Sequence, residues 1–145
     1  MHKYGSPVRV CLVLSVVCLA MVGEGWGQGD PNPLSPQYPV ITEFMAQNGS
    51  DMPLGPGELL DEERESSDWI ELHNPTDQGI DLGGWYLTDD PDELTKWSFP
   101  QGIILNRGAF MVVFASGKDR GAVNALHTNF KLRAQGEYLA LVLPD

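Results

Sequence analysis

Two histidines lie beyond residue 27, His73 and His127, and neither sits in a His-Glu-x-x-His spacing, so a zinc hydrolase helix of that type is excluded. Gly117-Lys118 matches a phosphate-binding loop only in outline. Val112 stands where that loop needs its first glycine, and Asp119 stands where a Ser or Thr must reach magnesium. No Gly-x-Ser-x-Gly elbow presents a nucleophilic serine. Cys11 and Cys18 both fall in an apolar N-terminal run. Once that run is removed the remaining chain has no thiol, which excludes a disulfide scaffold, a thiolate zinc site and a cysteine nucleophile. His73 stands at an outward strand position beside Asn74-Pro75. With no partner placed for it, it reads as a surface hydrogen-bonder rather than a general base.

The best metal candidate is the acidic cluster Asp89, Asp90, Asp92 and Glu93. Calcium takes six to eight oxygens from flexible carboxylates and carbonyls, and four acids within five residues supply that chemistry. The cluster lacks the alternating Asp-x-Asp-x-Asp-Gly form, however. The same residues also spell a helix start, with Asp90 as N-cap, Pro91 at the first helical position and Glu93 closing a capping box. Asn48-Gly49-Ser50 is a formal glycosylation acceptor, and Asn-Gly is equally a turn signal; the turn is the preferred reading.

The elements that would carry these groups follow a clear order. His2, Lys3 and Arg9 precede 13 uncharged residues, Val10 to Val22, and small residues follow at Gly23, Gly25 and Gly27. Residues 1–27 therefore read as a secretory signal peptide, with an uncleaved anchor as the alternative. The expected location is extracellular or at the cell surface, with no stable membrane insertion after cleavage. Residues 28–39, rich in proline, read as an extended tether.

Residues 40–145 read as one all-β domain. Asp68 to Asn74 alternates, Ile70 and Leu72 on one face against Trp69, Glu71 and His73 on the other. Short apolar runs separated by Gly, Pro, Asn and Asp predict a β-sandwich of 7–9 strands. Asn106-Arg107-Gly108 and Ala134-Gln135-Gly136 are expected turns with glycine at positive φ. Gln47 to Ser67 is a connection of 21 residues that reads from its composition as a solvated, mobile insertion. The expected core is Ile70, Leu72, Trp85, Leu87, Phe99, Val112, Phe114, Phe130, Leu139 and Leu141.

The chain has 20 acidic and 9 basic side chains, and the excess is local. Glu58 to Glu93 holds 13 acids and one base, whereas Leu94 to Asp145 holds three acids and six bases. Phosphate contacts need Lys and Arg, so nucleic acid is not an expected partner. The acidic half, with the loops Gln47 to Ser67 and Asp89 to Glu93, is the expected contact surface.

The order of Asp68-Trp69-Ile70-Glu71-Leu72-His73-Asn74-Pro75-Thr76, Asp81-Leu82-Gly83-Gly84-Trp85-Tyr86-Leu87-Thr88-Asp89, Trp97-Ser98-Phe99-Pro100, Leu105-Asn106-Arg107-Gly108 and Phe110 to Gly117 resembles the lamin tail domain. Leu126-His127-Thr128-Asn129-Phe130-Lys131-Leu132 with Gly136 to Val142 is similar to its secreted bacterial branch. The resemblance implies an immunoglobulin-like sandwich and a non-catalytic module, with no catalytic residue to carry over. Trp85 after Gly83-Gly84 fits an inward anchor on a bent strand.

Family members usually continue beyond the strand that ends at Leu143, so the closing strand is expected to be missing, or donated by a neighbour. The resulting expectation is a secreted or cell-surface binding or structural module, not an enzyme and with no cofactor. It would contact protein or glycan, or position a neighbouring domain. The alternatives are an accessory fragment of a secreted hydrolase, nuclease or spore-coat-type kinase, and a calcium-dependent adhesion domain.

Overall fold

Period-2 alternation places the Asp68–His73 strand at the centre of the architecture, because one face of it is wholly aliphatic and needs cover. A computed structural model describes residues 37–48, 59–122 and 125–144. The strands in chain order are β1 (Val40–Met45), β2 (Asp68–His73), β3 (Ile80–Asp81), β4 (Tyr86–Thr88), β5 (Trp97–Ser98), β6 (Ile104–Leu105), β7 (Phe110–Ala115), β8 (Arg120–Ala122), β9 (Ala125–His127) and β10 (Ala140–Val142). Among the described residues there is no helix.

One sheet has the order β1-β2-β7-β9-β8, and it faces a three-stranded sheet β10-β4-β5 and a pair β3-β6. All pairings are antiparallel except β7 with β9. The arrangement is an immunoglobulin-like β-sandwich. The ten strands among the described residues exceed the expected number because several are only two residues long, too short to show a period in sequence.

The core lies between the sheets. Ile70, Leu72, Val113, Ala115 and Leu126 from the large sheet meet Leu82, Trp85, Leu87, Trp97, Phe99, Ile103 and Leu105, with Phe130 and Leu132 at one end. Val112 and Phe114, expected inside, are only half-buried and stay out of this cluster. The Phe110–Ala115 run is apolar on both faces, so sequence alone does not set its phase. Register does: Val113 pairs with Ile70, which turns Val112 and Phe114 to the outer face.

Two turns position the sheets. Trp85 N–H donates to Leu82 O at 2.9 Å across Gly83-Gly84, and Gly84 takes φ of 85°, so the strand bends and drives the Trp85 ring inward. Gly108 has φ of 67°, and Ala109 N–H closes on Asn106 O at 3.0 Å. That turn does not make a hairpin: β6 pairs with β3 and β7 with β2, so the chain crosses here from one sheet to the other.

At the far edge β10 pairs with β4 alone. Leu139, Leu141 and Leu143 rest against the core, and Ala140 and Val142 are half-buried on the opposite face.

Candidate functional site

The alternation that buries Ile70 and Leu72 presents the other residues of β2 on the outer face of the large sheet, where they line up with their neighbours. Val40, His73 and Phe110 form one cross-strand row. Glu43, Glu71 and Val112 form the next, and Met45, Trp69, Phe114 and His127 the third. The first row is open, with Phe110 59% exposed and Val40 37% exposed. The His73 ring lies over Phe110 with centroids 4.2 Å apart and planes 12° from parallel. The surface histidine is therefore a stacking partner, because its pairing with Phe110 across β2 and β7 brings the two rings face to face.

At the other end the third row is covered. Trp69 is 5% exposed and His127 wholly buried, its ring stacked 5.2 Å from that of Phe114. Part of the cover comes from a hook of residues 59–67. Asp61 shapes it: its Oδ1 accepts from Glu63 N–H at 3.0 Å and Glu65 N–H at 2.9 Å, and its carbonyl accepts from Arg64 N–H at 2.9 Å. Asn48 ties the two ends of the connection, donating through Nδ2 to Leu59 O and to Ser67 O. An amide nitrogen held inside by two carbonyls suits a structural tie rather than a modified residue.

Ion pairs hold the hook down. Lys118 Nζ meets Asp61 Oδ2, Glu63 Oε2 at 2.7 Å and Glu65 Oε2 at 2.9 Å. Arg120 meets Glu63 at 2.9 Å and Glu62 at 3.1 Å. His127 Nε2 lies 2.9 Å from Glu62 Oε2, and its Nδ1 lies 2.8 Å from Ser116 Oγ. An Nε2–H tautomer donating to Glu62 and accepting from the Ser116 hydroxyl satisfies both ring nitrogens.

Burial pushes the Asp61 carboxyl up, but the Lys118 hydrogen bond and the two backbone donors outweigh it and hold the group below its ordinary value. The His127 hydrogen bond lowers Glu62, and those from Lys118 and Arg120 lower Glu63.

Ser116, His127 and Glu62 thus touch in series, as in a nucleophilic triad. Ser116 Oγ also accepts from Lys118 N–H at 3.2 Å, and the histidine is closed to solvent. The series works as an internal hydrogen-bond ladder. Two groups of side chains, Asp61 with Glu62 and His127, and Asp61 with Glu63 and Glu65, bring possible ligand atoms within 4.8 Å of one another. Lys118 and Arg120 already place positive charge among them.

These contacts correct one expectation about the long connection. Residues 59–67 are not a free insertion: Asp61 is buried, and Glu62, Glu63 and Glu65, although exposed, pair with Lys118 and Arg120. Composition missed this because Lys118, Arg120 and His127 lie far along the chain from the acids they meet. Residues 49–58 lie outside the described residues.

In the Asp89, Asp90, Asp92 and Glu93 cluster, Asp90 caps a short turn. Asp89 pairs with Lys96 at 2.7 Å, and the Lys96 ammonium lies 5.8 Å from the Phe130 ring centroid. Asp90 Oδ1 accepts from Asp92 N–H at 2.9 Å, and Glu93 N–H donates to Asp90 O at 3.2 Å. The expected helix start is thus a single turn, closed by Thr88, whose hydroxyl donates to Glu93 O at 2.8 Å. These four acids are not among the groups whose ligand atoms converge within 4.8 Å.

Removing the central cation tests the hook. Lys118→Met leaves the Asp61 carboxylate, fully buried at its side chain, without its counter-charge, and should cost about 1–3 kcal/mol in urea unfolding. Asp61→Asn in the same chain should recover part of that loss. Because the Asp61, Glu62 and Glu63 carboxyls are lowered in the fold, their contribution is present above the usual carboxylate range, about pH 3.9 to 4.3, and fades as pH falls through their folded values. The gap in melting temperature between parent and Lys118→Met should therefore close as pH falls below the usual carboxylate range and those groups protonate. A gap independent of pH would show that the hook is not held by these charges.

Neither the curated proteins nor the solved structures yield a match to this chain. A family model described as the lamin tail domain matches residues 34–145, which takes in every described strand. The chain belongs to the lamin tail domain family.

Proposed function

We propose that this chain is an exported, non-catalytic module of the secreted bacterial branch of the family, and that it docks a protein partner on the outer face of its five-stranded sheet. The lamin tail domain itself is a non-catalytic immunoglobulin-like domain. The observation that carries the docking reading is the open row of Val40, His73 and Phe110, with Phe110 59% exposed. A pre-stacked aromatic pair loses little side-chain freedom on binding, which suits an interface anchor. Export rests on the basic start, the apolar run and the small-residue exit of residues 1–27.

The test is fractionation of tagged parent and Phe110→Ser chains expressed in the host, with a photo-crosslinking residue at position 112. The parent is expected outside the cytosol, lacking its first 27 residues or nearly so, with crosslinked protein adducts that Phe110→Ser abolishes. Cytosolic recovery of the full-length chain would refute export. The same adducts in both variants would refute the docking face.

A further inference from the structure

We infer that the partner segment received by this outer face is basic: an extended stretch of protein that sets a Lys or Arg between apolar side chains. The inference rests on the reading of the outer face as a docking surface and adds the chemistry of what docks there.

The middle row supplies the argument. Glu43 of β1 and Glu71 of β2 are direct cross-strand partners on the outward face. Like charges placed directly opposite each other on neighbouring strands repel and weaken the sheet. Several other acids do meet a cation, Asp61, Glu63 and Glu65 at Lys118, Glu62 and Glu63 at Arg120, and Asp89 at Lys96. Among the described residues, no Lys, Arg or His nitrogen comes within salt-bridge distance of Glu43 or Glu71.

The pair is also held in place. Ile41 pairs with Leu72 and Glu43 with Glu71, so Thr42 is the extra residue of a bulge, and its hydroxyl donates to Glu71 Oε1 at 2.7 Å. The Glu71 carboxylate is therefore partly fixed beside Glu43.

Apolar groups stand beside them. Val40 and Phe110, with His73 stacked on Phe110, lie in the open neighbouring row, and Val112 continues the middle row toward the half-buried Met45 and Phe114. A cation seated over the two glutamates removes their repulsion, and that relief adds to the affinity. A neutral sugar would leave the repulsion in place, and an anionic lipid surface would add to it. Charge complementarity therefore selects a cationic protein segment with apolar flanks.

The test is amide chemical-shift mapping on the folded chain. The probes are three synthetic peptides alternating valine with lysine, glutamate or serine, and a neutral cello-oligosaccharide. The lysine peptide is expected to shift the amides of Glu43, Glu71, Phe110 and Val112, with an affinity that falls as salt rises. Glu43→Gln should weaken it about threefold, and Glu43→Gln with Glu71→Gln about tenfold, as for exposed ion pairs.

The same variants should melt no lower than the parent, because they remove a like-charge pair; this separates lost binding from lost structure. If the serine peptide or the oligosaccharide binds this face as tightly as the lysine peptide, the basic partner is refuted and the docking face stands. Lysine-peptide binding that is unchanged in the double variant, or that maps to residues 61–65, also refutes the basic partner. If no probe moves these amides, the docking face falls with it.

Discussion

Asn74→Asp should destabilise the fold by about 3–5 kcal/mol, although it exchanges one atom type on a side chain of the same shape. Asn74 is completely buried where β2 ends. Its Nδ2 donates to Gln78 O at 2.7 Å and to Leu105 O at 2.8 Å. Its Oδ1 accepts from the Thr76 N–H at 3.0 Å and the Thr76 hydroxyl at 2.7 Å. Its backbone meets the next strand, with N–H to Ala109 O at 3.0 Å and carbonyl to Gly108 N–H at 2.8 Å.

One residue thereby joins the β2–β3 loop, the end of β6 and the turn into β7. Aspartate keeps the acceptor half of this network and loses both donors, so an anionic oxygen faces two carbonyl oxygens. The carboxyl can relieve the contact only by holding a proton, which raises its folded pKa above the ordinary aspartate value. A raised folded pKa makes the penalty largest above that value and smaller as pH falls toward the unfolded value near about 3.9. Urea unfolding at neutral and at mildly acid pH measures both effects. A loss below about 1 kcal/mol at neutral pH would mean that the network does not act as a unit.

Trp85→Ala should remove a similar amount, about 3–5 kcal/mol, for an unrelated reason. The indole is 6% exposed and belongs to the buried cluster, and the Tyr38 ring packs on it at 6.1 Å between centroids. Its position depends on the Gly84 bend, and its own backbone carbonyl accepts from Phe99 N–H at 2.9 Å. Truncation leaves a large void that this hydrogen-bonded frame limits from collapsing. With total stabilities of small domains near 5–15 kcal/mol, roughly a third or more of the stability is at stake. Circular dichroism is the suitable readout, because the substitution itself removes a fluorophore. Trp85→Phe should recover much of the loss; equal loss in both variants would assign the cost to the indole N–H rather than to filled volume.

Legibility in the sequence followed the range of the physics involved. The period of Asp68–His73 and the Gly-Gly-Trp bend are local, and both could be read without a structure. So could the turn at Gly108, although not that it would carry the chain between sheets. The phase of β7 was hidden because Met111, Val112, Val113 and Phe114 are apolar on both faces, and only register with β2 chooses between them. The two-residue strands β3 and β6 hold no period at all.

The long-range polar contacts were hidden for a different reason. Lys118 and Asp61 are 57 residues apart, so the acids of the hook looked like solvated charge until the fold brought their cations back. Asn74 showed no role of its own in the sequence, and its bonds to Gln78 O nearby and Leu105 O far along the chain make it a junction. Asp90 as a cap was legible locally: its Oδ1 accepts the Asp92 N–H, and the start it opens stops after one turn.

The parallel pairing of β7 with β9 and the neighbouring of β2 with β7 also bear on how the chain reaches its fold. β2 finds no partner among the four strands made immediately after it, since β3 to β6 all belong to the facing layer. Its first contact on that side comes when Phe110 reaches His73, after a long loop has closed. Closing such loops before any contact rewards them slows folding, as it does in other sandwiches with distant pairings. The main sheet can therefore assemble only late, once most of the chain is present. If the chain is exported in extended form, as proposed above, the main sheet and its outer face form only after passage.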